Sequence, residues 1–144
     1  MSKIVIVGRS DPQASQAKAL VYAQAVASWA ILFDGDRWYH VERVAVALQD
    51  SNDSVGMASL CPHGELDAPD EGPSIIGVWV HPDYRRQRIG TALVEALAAE
   101  SQRLYGKKPL LTGVTVAGQA LLRRVQANGI AVSGWSVGGM GELP

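Results

Sequence analysis

Hydrophobic and polar positions follow two periods along the chain. Short β-branched runs predict strands at residues 4–7, 44–48, 55–60, 74–80, 110–116 and 130–137. Helical spacing predicts helices at residues 14–29, 89–105 and 118–128. The resulting order, β-α-β-β-β-α-β-α-β, indicates one domain over residues 1–144 of the mixed α/β (α+β) class, with a mostly antiparallel sheet flanked by helices.

Residues at the ends of these segments support the assignments. Asp11 and Pro12 are typical of an N-cap and a first helical residue, and Gly106 is typical of a helix stop. Turn-forming residues at 50–54 predict a hairpin, and the polar stretch 62–73 predicts a surface loop.

The run Ser74–Val80 is apolar at nearly every position. Strict alternation would place Ile75 and Trp79 on one face and Ile76, Val78 and Val80 on the other. A strand that is apolar on both faces is usually central and covered on both sides.

Composition narrows the function classes. The 144 residues are 47% hydrophobic and carry a net charge of -1, so no overall field attracts nucleic acid or an anionic membrane. The single cysteine, Cys61, allows no internal disulfide and no cysteine-rich zinc site, and we expect a bystander thiol. No apolar run approaches the roughly 20 residues that span a bilayer. We therefore expect a cytoplasmic protein that binds no metal.

The most informative stretch, residues 78–91, is a strand, a basic turn and a helix start. Arg85, Arg86 and Arg88 bring three guanidinium groups to one helix N-terminus, where unpaired N–H groups favour phosphate. Gly90 lets an anion approach the backbone, and Thr91 can add a hydroxyl. The alternative is a solvated basic loop before an ordinary helix, because short motifs have many false positives. Neither common nucleotide-binding signature is present.

This stretch resembles the acetyl-CoA-binding motif of the GNAT N-acetyltransferase superfamily, both in Val80-His81-Pro82-Asp83-Tyr84-Arg85 and in Arg85-Arg86-Gln87-Arg88-Ile89-Gly90. Arg88 departs from the motif because it replaces the first glycine. The resemblance implies that the backbone of Val78–Val80 pairs with the pantetheine arm and that amides of residues 86–91 hold the pyrophosphate. The implied cofactor-binding residues are Val78, Trp79, Val80, Arg85, Arg86, Gln87, Arg88, Ile89, Gly90 and Thr91.

The residues that would handle protons are not assigned by this resemblance. Many members place a tyrosine in the last helix, but the matching position here is Val125. The candidates are Glu71 on the acidic loop, His81 and Tyr84, each with a plainer interpretation as a solvated carboxylate, a strand end or part of the turn.

Three functions follow as hypotheses. The first is an N-acetyltransferase whose partners are acetyl-CoA and a primary amine of a small molecule or protein; the sequence does not name the acceptor, and a homodimer is left open. The second is a catalytically silent acyl-CoA-binding or sensor domain, suggested by the missing tyrosine. The third is an interaction module that uses residues 85–88 to bind nucleic acid or protein, which the near-neutral charge disfavours.

Overall fold

The fold is given by a computed structural model that describes residues 3–24, 40–50, 53–62, 72–84, 88–111 and 133–134. Its strands are β1 (Lys3–Gly8), β2 (Arg43–Leu48), β3 (Ser54–Cys61), β4 (Ser74–Val80), β5 (Leu110–Leu111) and β6 (Ser133–Gly134). Its α-helices are α1 (Pro12–Gln24) and α2 (Ile89–Tyr105), and a short 3-10 turn spans Pro82–Tyr84.

Within the described ranges the strands form one sheet in chain order, β1-β2-β3-β4-β5-β6. The first three pairings are antiparallel, and the pairings of β4 with β5 and of β5 with β6 are parallel. The predicted mixed, mostly antiparallel sheet flanked by helices is confirmed. It follows that β4 has an antiparallel neighbour on one side and a parallel neighbour on the other.

A hydrophobic layer covers each face of this sheet. On one face α2 buries Leu93 and Leu97 against residues of β2, β3 and β4. On the other face α1 buries Ala14 and Ala17 against β2, β3 and Trp79. β4 is therefore covered on both faces, as its apolar sequence predicts.

A β-bulge interrupts β4. Met57 of β3 lies opposite Trp79, but Ser59 lies opposite Ile76, so two residues of β4 face the single residue Ala58. Gly77 is one of these two, and its φ of 71° is in the left-handed region that glycine adopts without steric cost.

The bulge resets the alternation of side chains along β4. Ile75, Val78 and Val80 all pack in the α2 layer, whereas Trp79 lies in the α1 layer. The prediction that Ile75 and Trp79 share a face is therefore wrong, because it assumed an uninterrupted period of two.

The helix ends follow the local sequence. Asp11 Oδ1 accepts a hydrogen bond from the Gln13 N–H at 2.8 Å, so Asp11 caps α1 and Pro12 is its first residue. Gly106 has φ 66°, and its N–H donates to the Gln102 carbonyl at 3.0 Å, which ends α2. Both assignments are confirmed.

Several predicted segments lie wholly or partly outside the described residues. These are the end of the first helix (25–29), most of the loop 62–73, residues 112–116 of the fifth predicted strand, the helix at 118–128 and most of residues 130–137.

Candidate functional site

The turn between β4 and α2 is held in place by backbone hydrogen bonds. The His81 N–H donates to the Val55 carbonyl at 2.8 Å, which continues the sheet one residue past the end of β4. The Tyr84 N–H then donates to the His81 carbonyl at 2.9 Å and closes the 3-10 turn. The chain therefore leaves the sheet at a defined point, between the buried strand and the start of α2.

Arg88 occupies the residue immediately before α2. Its φ of 62° and ψ of 21° are left-handed, and it is the only non-glycine residue with positive φ in the described part of the chain. Its side chain is exposed and makes no capping hydrogen bond. The geometry explains why a glycine suits this position in the motif that the sequence resembles, because a side chain in this conformation costs about 1–2 kcal/mol.

The first turn of α2 buries two of its side chains in the core. Ile89 is buried in the α2 layer at 4% exposure, and Thr91 is buried at 5%. The helical hydrogen-bond ladder begins where the Ala92 N–H donates to the Arg88 carbonyl at 3.0 Å. The N–H groups of Ile89 and Gly90 precede that bond, so these backbone groups, rather than the side chains, are suited to an anion.

The edge of β4 that faces β5 is paired near its beginning. In the described residues, the parallel pairs are Ser74 with Leu110 and Ile75 with Leu111, both before the bulge at Gly77. The segment Val78–Val80 begins at the second residue of the bulge and runs toward the Arg88 turn. Its side chains are committed to the two hydrophobic layers, so only its backbone is suited to the proposed pantetheine contact.

His81 is held in one orientation by its neighbours. Its Nδ1 accepts a hydrogen bond from the Asp83 N–H at 3.1 Å, and its ring makes edge contacts with Trp79 and Tyr84 at centroid distances of 6.1 and 5.9 Å. The Asp83 carboxylate is 3.8 Å from the same Nδ1. The shorter contact decides the tautomer, because an Nδ1 atom that accepts an N–H bears no proton. Neutral His81 therefore carries its proton on Nε2.

This arrangement bears on the proton-transfer candidates. His81 can act as a base through Nδ1 only if it loses the hydrogen bond from the Asp83 N–H. Its other ring nitrogen, Nε2, carries the proton and is a hydrogen-bond donor. Tyr84 is half-buried and packs against the α2 layer. Glu71, Arg85, Arg86, Gln87 and Val125 lie outside the described residues.

Gly77 is the site feature that sequence reasoning missed. A lone glycine inside an otherwise apolar strand is a signal of a bulge. The signal was available in Ile75-Ile76-Gly77-Val78-Trp79, but periodicity alone does not distinguish a bulged strand from a regular one.

The remaining reactive groups are separate from this turn. Cys61 is 2% exposed, and burial raises the pKa of its thiol to about 12, so it stays protonated at neutral pH. In the ranges given above, no three His, Cys, Asp or Glu side chains are placed to hold a metal ion. Neither described helix is long and apolar enough to cross a bilayer.

Comparison with known proteins identifies the family of this chain. The family model of the GNAT acetyltransferases matches residues 16–127, which is more than half of the chain. No curated protein sequence matches the chain significantly.

Solved structures share the fold at low sequence identity. A GNAT family N-acetyltransferase from Escherichia coli, in complex with CoA, has a TM-score of 0.58 and 17% identity, over 72% of this chain and 58% of that one. A ribosomal-protein-alanine N-acetyltransferase from Brucella melitensis has a TM-score of 0.58 and 23% identity, over 87% and 90%. An aminoglycoside acetyltransferase from an uncultured soil metagenomic sample has a TM-score of 0.57 and 19% identity, over 88% and 86%.

The family match extends from α1 past the Arg88 turn, and the similar structures cover most of the chain. A bulged central strand that leads through a basic turn into α2 therefore lies inside the matched region. This protein belongs to the GNAT acetyltransferase family.

Proposed function

We propose that this protein transfers the acetyl group of acetyl-CoA to a primary amine of a small molecule or protein. The observation that carries the proposal is the start of α2, where an exposed Arg88 in a left-handed conformation precedes the N–H groups of Ile89 and Gly90. A helix N-terminus with an adjacent guanidinium suits a diphosphate. The family match and the CoA complex of the Escherichia coli structure support this proposal.

In the proposed binding mode, acetyl-CoA lies along the edge of β4 and ends at the Arg88 turn. The backbone of Val78–Val80 pairs with the pantetheine arm, and amides of residues 86–91 hold the pyrophosphate, with Arg85 supporting the loop. The bulge at Gly77 and Val78 supports this mode, because a bulge twists the strand locally and re-aims its backbone groups where this segment begins.

The proposed reaction is direct attack of the neutral amine on the thioester carbonyl. The C–N bond forms, the C–S bond breaks, the amine loses a proton and the CoA thiolate gains one. A backbone N–H near Val80 would stabilise the oxyanion. His81, which presents Nε2–H beside the turn, is proposed to donate a hydrogen bond in the site, and Tyr84 and Glu71 remain candidates for proton transfer.

Acetyl-CoA binding is tested first, by calorimetry with a charge-reversed pair of variants. Arg88→Glu should weaken binding by about tenfold or more, because it places a carboxylate at the phosphate position. Lys108→Glu makes the same charge change at an exposed residue beyond the far end of α2 and should leave binding unchanged. Equal effects of the two variants would reject the turn as the binding site.

Turnover is tested by mixing the protein with acetyl-CoA and a broad panel of amines, and measuring released CoA with a thiol reagent. The assay suits this protein because its single cysteine is buried and adds little background. His81→Asn retains an acceptor for the Asp83 N–H and removes the ring, so a fall in kcat of about 100-fold would indicate that the Nε2–H donates a hydrogen bond in the transition state. Tyr84→Phe and Glu71→Gln test the other two candidates.

The second candidate function is a catalytically silent acyl-CoA-binding domain. It is favoured by Val125, which stands where the resemblance implies a tyrosine. Acetyl-CoA binding without turnover of any amine would support it. Salt-sensitive binding of a polynucleotide that CoA does not displace would instead favour an interaction module.

We further propose that the protein acts as one domain over residues 1–144 in the cytoplasm. Size-exclusion chromatography with light scattering, with and without acetyl-CoA, distinguishes a monomer from a homodimer. Fluorescence microscopy of a tagged full-length chain tests the compartment.

A further inference from the structure

An open cavity lies at the opposite end of the sheet from the Arg88 turn. It has a volume of about 630 Å³ and is formed where β1 ends at Gly8 and β2 begins at Arg43, two residues that pair directly. The length of β2, six residues at about 3.3 Å each, separates this end from the end where β4 leads to α2. We refer to this space as the basal cavity; its charged and polar lining residues are Arg9, Ser10, Asp11, His40, Glu42 and Arg43.

The walls of the basal cavity carry both signs of charge. The Asp11 carboxylate already has a structural role, because its Oδ1 caps α1. Glu42 has a half-exposed side chain, and its Oε1 makes a long contact of 3.4 Å with Arg43 Nη1. The Glu42 carboxylate is therefore accessible and only weakly engaged by this neighbour.

Arg43 is the cation beside that carboxylate. Its Nη1 donates to the Glu42 carbonyl at 2.9 Å, and its Nε is 3.3 Å from Glu100 Oε2 on α2. These contacts fix the guanidinium at the cavity wall, and 30% of the side chain remains exposed. A positioned guanidinium on a partly exposed side chain is suited to a ligand carboxylate.

A ligand that is only an anion or only a cation fits this wall of the basal cavity poorly. An anion on Arg43 would lie next to the Glu42 carboxylate, and a cation on Glu42 would lie next to the guanidinium. A molecule with a carboxylate and an ammonium group a few ångströms apart satisfies both, because each pole meets the opposite charge. The polar lining also favours such a ligand over an apolar one.

We propose that the basal cavity binds a small zwitterion, namely a free amino acid or a related amino carboxylic acid. The carboxylate of the ligand pairs with Arg43, and its ammonium group pairs with Glu42. The site is separate from the Arg88 turn, so the ligand is bound rather than acetylated there. This inference does not depend on acetyl transfer.

Binding is tested by calorimetry on the full chain without acetyl-CoA, with the free amino acids at up to about 10 mM. Two series of analogues test the two charged groups of the ligand separately. Amino acid amides lack the carboxylate, and N-acetyl amino acids lack the ammonium group. We expect saturable binding of at least one free amino acid, weakened about tenfold or more by either modification.

Two variants locate the site. Glu42→Gln removes the negative pole at nearly constant volume and should weaken binding about tenfold, whereas Glu95→Gln, an exposed carboxylate on α2 outside the cavity, should not. Arg88→Glu should also leave amino acid binding unchanged, which separates this site from the cofactor site. The inference is overturned if no free amino acid binds, if either one-charge analogue binds as tightly, or if Glu42→Gln has no effect.

Discussion

Ile75 and Trp79 lie four residues apart on one strand, yet their side chains are buried in opposite hydrophobic layers. The left-handed glycine between them makes this arrangement possible, since Gly77 belongs to a bulge that adds one residue to β4 opposite Ala58. The bulge includes Val78, the first residue of the segment Val78–Val80 that is proposed to bind pantetheine. The conformation of one residue thus determines both the packing of Trp79 and the direction of the backbone at the candidate site.

Gly77→Ala should destabilise the protein by about 1–2 kcal/mol, because a Cβ at φ 71° clashes with the backbone. Urea unfolding followed by circular dichroism measures the change. Gly8→Ala is the control, since Gly8 has open space around the added Cβ, and its effect should stay within about 0.5 kcal/mol. Equal losses in the two variants would contradict the account of the bulge.

Arg88→Gly should raise the free energy of unfolding by about 1 kcal/mol, because glycine adopts φ 62° without the steric cost that arginine incurs. Arg88→Ala removes the same guanidinium but keeps a Cβ, so no comparable gain is expected. Denaturation midpoints of the two variants separate backbone strain from charge. A gain of the same size in both would show that charge, not conformation, governs stability here.

Ser59→Ala should stabilise the protein by about 1 kcal/mol. Ser59 is 0% exposed, and its hydroxyl has no hydrogen-bond partner among the described residues, so alanine removes a desolvated polar group. Ser101 is equally buried, but its Oγ donates to the Lys107 carbonyl at 2.8 Å. Ser101→Ala should therefore destabilise by about 1 kcal/mol, and thermal unfolding of the pair should give shifts of opposite sign.

Glu100→Gln should lower stability by about 0.5–1 kcal/mol at neutral pH. The hydrogen bond from Arg103 holds the pKa of Glu100 below its usual 4.5. Burial acts in the opposite direction, and the charge of Arg43 lowers the pKa further. A depressed folded-state pKa means that the stabilisation is fully present above 4.5 and is lost as the pH falls through the folded value.

Urea unfolding at a series of pH values checks this sign. The difference between wild type and Glu100→Gln should be constant above pH 5.5 or so and should shrink below about 4.5. Glu95→Gln, on an exposed face of the same helix, should show no such trend. A difference that grows on acidification would refute the assignment.

Cys61 should resist alkylation in the folded protein. With its pKa near 12 and 2% exposure, the thiolate fraction at pH 8 is about a thousandfold lower than in an unfolded chain. Iodoacetamide labelling followed by mass spectrometry, with and without guanidinium chloride, measures the ratio. Rapid labelling of the native protein would show that the thiol is accessible.

Much of the local structure was readable from the sequence, because short-range chemistry determines it. The bounds of Ser74–Val80 and Ile89–Tyr105 agree with the prediction, since both segments have an unbroken period or apolar run and clear stop residues. The caps at Asp11 and Gly106 follow in the same way from single residue types. The family was also indicated by the residues of the basic turn.

Only the tertiary structure decided the face on which Trp79 is buried and the orientation in which His81 accepts its hydrogen bond from Asp83. Each depends on pairing or packing with other parts of the chain: the bulge on the register against β3, and the orientation of His81 on its bond to Val55 and its contacts with Trp79 and Tyr84. The basal cavity likewise joins residues from three separate segments. Local patterns contain no information on such distant partners, so these features emerge only when the sheet has formed.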